Sequence, residues 1–93
     1  SHKFHKDVPL DLRIVAYYPI PQSKSKKIQS LMRSKKIRPT KKPDWDNVGK
    51  VVADSLNQIA YSDDAQIVDS VVRKFYSDDA RIEVLIKEAG LDD

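Results

Sequence analysis

The stretch "PLDLRIVAYYPI", residues 9 to 20, alternates along its whole length and is bounded by prolines. Leu10, Leu12, Ile14, Ala16 and Tyr18 point one way and Asp11, Arg13, Val15 and Tyr17 the other, a period of two that reads as a strand. Pro19 and Pro21 end it, because proline has no N–H to give a sheet ladder. A strand with one apolar face must bury that face against a second layer, and 93 residues allow one small core. A single domain over 1–93 is expected, of the size that a partner chain often helps to stabilise.

The second layer is readable. Ser23 is placed as the N-cap of "KSKKIQSLMRSKK", where Ile28, Leu31 and Met32 form a short stripe at helical spacing. The linker "IRPTKKP" follows. Val48, Val51, Val52, Leu56 and Ile59 recur at threes and fours, which predicts a helix over about 45–58. After a turn at "YSDD", residues 66–76 read as a strand, with Val68, Val72 and Tyr76 on one face and Ile67, Val71 and Phe75 on the other. "RIEVLIK" alternates with Ile82, Val84 and Ile86 inward, and pairing with the preceding strand across "SDDA" predicts an antiparallel hairpin. The expected class is α+β: a small mixed sheet with a C-terminal antiparallel hairpin and two helices packed on it.

Charge is unevenly spread. Residues 1 to 43 carry twelve Lys or Arg against two aspartates, or +10, and residues 44 to 93 carry five against twelve acids, or −7. The densest run holds Lys24, Lys26, Lys27, Arg33, Lys35, Lys36, Arg38, Lys41 and Lys42 with no acid among them. Such a run suits a polyanion such as DNA or RNA, and equally a solvated helix face with a basic loop. The chain lacks cysteine, which suits a reducing compartment, and no apolar run approaches the roughly 20 residues that span a bilayer. A cytoplasmic location is expected. Ser1 and His2 read as a cloning remnant.

The acids at "KKPDWDNVGK" allow more than one chemistry. An EF-hand is excluded, since counting from Asp44 places Val48 and Ser55 where ligands belong. Asp44 or Asp46 would cap the helix that follows. Asp63 and Asp64 lie beyond that helix, and a chain folding back would bring them towards its start. Carboxylates gathered there repel unless a hard cation such as Mg²⁺ sits among them, with substrate phosphate oxygens completing its shell. Lys50, on the helical face of Asp46, would then meet a phosphate, or else simply pair with Asp46. Asp54, one turn further on, is expected to pair with Lys50 and orient it. Trp45 is expected to pack rather than stack on a base. Asp78 and Asp79 repeat the Asp-Asp pattern in what reads as an ordinary turn.

With these residues in view, "KKPDWDNVGKVVADSLNQIAYSDDAQIV" resembles the RusA-type Holliday junction resolvases of phages and prophages. Their pattern runs Lys-Pro-Asp-x-Asp-Asn, a lysine on the next turn, Asp-Ala-Leu-Asn-Gly, and x-Asp-Asp-x-Gln-Val. The likeness extends upstream to "YYPIPQSKSKK" and downstream to "VRKFYSDDARIEVLI". It implies that Asp44, Asp46 and Asp64 are metal-binding catalytic acids with Asp63 beside them, and that Lys50 is the catalytic lysine. It also implies a Mg²⁺-dependent endonuclease, with Mn²⁺ as the alternative ion, acting as a homodimer that nicks a four-way DNA junction symmetrically. The chain departs from the pattern at Gly49, where a larger residue is usual, and at Gln58, which replaces a glycine. Ser77 and Ala80 replace the glycine and proline of the family's turn. No counterpart of the family's N-terminal strand precedes Asp7. The expected function is therefore junction resolution, and the alternative is a module that binds branched DNA without cutting it.

Overall fold

The computed structural model describes residues 3–90, in the order β1 (Leu10–Pro19), α1 (Lys26–Arg33), α2 (Trp45–Leu56), β2 (Ile67–Ser77) and β3 (Arg81–Glu88), with a 3₁₀ turn at Asp64–Gln66 before β2. The three strands form one mixed sheet in the order β2-β1-β3. β1 pairs parallel with β2 and antiparallel with β3.

The expected hairpin is therefore corrected: β2 and β3 flank β1 and do not pair with each other. Ser77 stands opposite Pro19 and Arg81 opposite Tyr17, so the connection at 78–80 bridges the end of β1. Crossing two strand spacings takes roughly 10 Å, and four residues of extended chain reach roughly 13 Å, so a short connection does not enforce adjacency. β1 takes the centre because it has the most to bury, with Leu10 and Ile14 fully enclosed and Leu12 nearly so.

One face of β1 makes the core. Leu12, Ile14, Ala16 and Tyr18 pack against Val48 and Val52 of α2, with Leu56, Val72, Tyr76 and Ile86 around them. Each fully buried Leu, Ile or Val contributes about 1.5–3 kcal/mol. A register shift between Leu10 and Asp11 pairs Leu10 with Ile67 and Asp11 with Asp69. Ile67 consequently joins Val72 and Tyr76 against the core, while Val68 is left exposed, contrary to the simple alternation read for this strand. Ile82 and Val84 occupy the helix-side face of β3, yet both stay exposed because α2 lies over β1 and β2. Asp11, on the opposite face of the central strand, is buried and takes the Arg13 guanidinium at 3.0 Å.

α1 begins two residues later than expected. Ser25, not Ser23, is the N-cap, its hydroxyl accepting the Ile28 N–H at 3.2 Å. Lys35 closes the helix at φ 68°, so that its N–H reaches the Met32 carbonyl and the Lys36 N–H reaches that of Leu31. The stretch that follows wraps the outer edge of β2. Lys35 and Arg38 stand over the Phe75 ring on the far face of the sheet, and Lys41 lies over Tyr76 on the helix face. Arg38 Nε donates to the Lys74 carbonyl on that edge at 3.0 Å.

Gly49 lies inside α2 with no positive φ, and a Cβ there would meet only Val72 Cγ2, at an ordinary 3.6 Å. Gly49→Ala is therefore expected to stabilise the fold by about 0.5–1 kcal/mol, as measured by urea unfolding.

Candidate active site

The approach to α2 is held by the sheet beneath it. Lys74 Nζ donates to the Lys41 carbonyl at 2.7 Å, and Tyr18 Oη donates to the Pro43 carbonyl at 2.5 Å. The Lys42–Pro43 peptide is cis. Asp44 takes the N-cap position, its carbonyl accepting the Val48 N–H at 3.0 Å, but its carboxylate makes no capping bond. Asp46 instead accepts the Asn47 N–H at 2.9 Å through Oδ1, which leaves its second oxygen uncommitted within the protein. The helix start thus uses little of the acid available to it.

A polar clamp sets the position of the second pair. Gln66, nearly buried, receives the N–H groups of Ser62 and Asp63 on Oε1 at 3.0 and 3.1 Å. Its amide donates to the carbonyls of His5 and Val8 at 2.9 and 3.0 Å. Asp63 closes the clamp as a cap, with Oδ1 accepting the Ala65 N–H at 2.9 Å. Tyr61 lies beneath, fully buried, its hydroxyl donating to the Ala53 carbonyl at 2.8 Å. Burial pushes the Tyr61 phenol above its ordinary range, and the charges of Asp64 and Asp54 push it the same way. Gln58 occupies the turn with φ 67°, a left-handed conformation that favours the glycine it replaces.

The result is an open cleft of about 370 Å³ between α2 and β2. Asp46, Lys50 and Asp64 line it together with Trp45 and Ser70, over an apolar floor that includes Leu12, Ile67 and Val72. Asp44 and Asp63 are not part of this lining. Asp63 is spent on its cap and faces a second depression beside Lys6 and Asp7. Among the described residues no group of three or more His, Cys, Asp or Glu is placed to hold a metal together. Two carboxylates facing a solvent-open cleft still match what Mg²⁺ takes from a protein when water and phosphate oxygens supply the remainder.

Two expectations for neighbouring residues change. Among the described ion pairs none joins Lys50 to Asp46 or to Asp54. A surface pair gains about 0–1 kcal/mol, too little to compel one, so the Lys50 ammonium remains available. Trp45, expected to pack, is 68% exposed at the cleft rim. As the first residue of α2 it precedes the buried stripe that begins at Val48.

The basic run is only partly available. Arg33 is tied to Asp78 at 2.7 Å, which holds the Asp78 carboxyl below the usual range, and Arg38 is engaged with Lys74 and Phe75. Lys24, Lys26, Lys27, Lys36 and Lys42 are exposed. Residues 73 and 74 add cations outside the run: Arg73 stands over Phe75, and Lys74 over Tyr18.

Gln66, Lys74 and Tyr18 position the acids without looking like site residues in the sequence. The capping-box spacing from Asp63 to Gln66 was a signal that would have revealed the role of the first of them. Gln66→Met would leave the Ser62 and Asp63 N–H groups without their acceptor and is expected to cost at least about 2 kcal/mol, as read by urea unfolding.

The family model described as "Endodeoxyribonuclease RusA" matches residues 2–87. An "Uncharacterized protein YqaN" of Bacillus subtilis (strain 168) is 44% identical over 84 residues, covering 88% of this chain and 59% of that protein. A "Crossover junction endodeoxyribonuclease rusA" of Lactococcus phage r1t is 36% identical over 86 residues, covering 91% of this chain and 59% of that protein. The chain thus spans about three-fifths of the length of these curated relatives. No solved structure gives a significant match. With a family match over nearly its whole length and a phage relative 36% identical to it, the chain belongs to the RusA endodeoxyribonuclease family.

Proposed function

We propose that this chain provides the catalytic domain of a Mg²⁺-dependent endonuclease that resolves four-way DNA junctions by paired, symmetric nicks. The observation that carries the reading is the meeting of Asp46, Asp64 and Lys50 in one open cleft, with Lys50 in none of the described ion pairs. Asp46 and Asp64 would hold the divalent ion, with Asp44, whose carboxylate has no capping bond, close by at the head of the helix. A bound Mg²⁺, or Mn²⁺, polarises phosphoryl oxygens and makes water a competent nucleophile at neutral pH. Lys50 supplies a positive charge to the non-bridging oxygens of the scissile phosphate, where negative charge develops. The exposed lysines of the basic run contact backbone phosphates away from the cut.

A homodimer accounts for paired nicks, because a two-fold axis presents two identical clefts to two equivalent strands. The exposed Ile82 and Val84 on β3, which α2 leaves uncovered, are apolar surface of the kind such a contact needs. The second reading, a module that binds branched DNA without cutting, is favoured by one observation: no three acids are grouped among the described residues.

The deciding experiment incubates a labelled four-way junction with the chain, with Mg²⁺ or with EDTA. Symmetric nicks that need Mg²⁺ support the nuclease, while tight binding without nicks supports the module. Asp46→Asn and Asp64→Asn are each expected to slow cleavage at least about 100-fold while leaving junction affinity in a gel-shift assay within a few-fold. With six or more phosphate contacts, raising salt from about 50 to 200 mM should weaken junction binding roughly 1,000-fold or more, as read by fluorescence anisotropy.

A further inference from the structure

We propose that Trp45 and Gly49 form a stacking slot for a nucleobase at the rim of the acidic cleft, beside the phosphate position served by Lys50. The inference rests on the nuclease reading above and adds to it a contact with a base. Two independent observations carry it.

The first is the state of the indole. Trp45 is 68% exposed and lines the cleft with Asp46, Lys50 and Asp64. The other rings around the sheet are engaged: Tyr17 stacks on Phe75 and carries Arg81, Tyr18 carries Lys74, and Tyr76 carries Lys41. Among the described residues no ring or cation covers Trp45 in this way. Indole is the side chain with the largest apolar face, and here that face borders a site that handles phosphate.

The second is the glycine four residues on. Positions 45 and 49 are neighbours on one helix face, and both line the cleft. Gly49 weakens the helix it sits in, yet neither its backbone nor its packing calls for glycine. Helical side chains lean towards the preceding turn, so a longer side chain there would extend towards Trp45 and take up space beside it. Glycine leaves that space open, in a cleft that Leu12 and Val72 also line.

A flat group with two apolar faces, attached to a phosphate, is what fits, and a nucleobase is that group. Since every base has a π-face, the slot would distinguish unstacked from stacked bases rather than one sequence from another. Bases inside an intact duplex are covered on both faces, whereas those at a branch point are more readily released. The slot would therefore bias the cleft towards strands opened at a junction.

Trp45 is the chain's one tryptophan, so its emission reports on this site alone. The test titrates the chain in EDTA with a four-way junction and with a linear duplex of the same length and composition. Trp45 emission should be quenched by the junction and much less by the duplex. Trp45→Ala should weaken junction binding roughly 5- to 150-fold, the range that loss of one base–aromatic stack produces. Trp45→Phe should retain most of the affinity. Gly49→Leu, with its fold verified by circular dichroism, should behave like Trp45→Ala. Junction binding with unchanged emission, or with unchanged affinity in Trp45→Ala, overturns the slot. So does quenching that depends on protein concentration without DNA, which would mean that a second copy covers the indole. A chain that binds and nicks junctions with unchanged Trp45 emission defeats the slot alone; one that binds no DNA defeats the nuclease reading as well.

Discussion

The contact between the inner face of β1 and the buried stripe of α2 is what the rest of the molecule depends on. Leu12, Ile14, Ala16 and Tyr18 meet Val48 and Val52, and a chain of this length has little apolar surface to spend elsewhere. That contact fixes the rotation of α2 about its own axis. With Val48 and Val52 turned down into the core, Asp46, Gly49, Lys50 and Ala53 line the cleft on the side of β2. The placement of the acids thus follows from packing, and no polar contact between the two acidic segments is needed to bring them together. Tyr18 joins the two levels directly, since its ring belongs to the core and its hydroxyl holds Pro43, immediately before the first acid.

Much of this was legible in the residues because hydrophobic period is a local property. The alternation of β1, the stripe of α2 and the run of β3 each need only a short window, and all three elements stand close to where that spacing put them. Strand neighbours are not local, and so the hairpin expected across "SDDA" proved to be two strands separated by β1. Val68 and Ile67 exchanged roles because a one-residue irregularity in pairing moves every side chain before it to the other face. The side of a sheet that a helix fails to cover is likewise invisible in a strand's own pattern, and Ile82 and Val84 read as inward for that reason.

The candidate site was legible as a set of residue types but not as a division of labour. Asp44, Asp46, Asp63 and Asp64 look equivalent in the sequence, yet their backbone surroundings separate them. Asp63 is committed to a cap, Asp46 shares one oxygen with a neighbouring amide, and Asp44 has the cap position without the bond. In the sequence, the spacing from Asp63 to Gln66 is the local signal of the first of these roles. Trp45 was misjudged for a related reason: hydrophobicity predicts burial on average, and the first turn of a helix is where the chain is least obliged to follow the average.

The wrapping of β2 by the stretch after α1 has a consequence for how the molecule behaves in company. An open sheet has two unpaired borders, and each is a template on which another chain can add a strand. Along β2 the Arg38 side chain occupies the Lys74 carbonyl, with Lys35 and Lys41 over the neighbouring rings, so part of that template is taken by the protein's own basic segment. β3 is protected differently, by Arg81, Glu83, Lys87 and Glu88, which would place charges of both signs against any incoming strand. One border is partly covered and the other is flanked by charge. A basic stretch that leans on this border would then also keep concentrated copies of the sheet from pairing edge to edge.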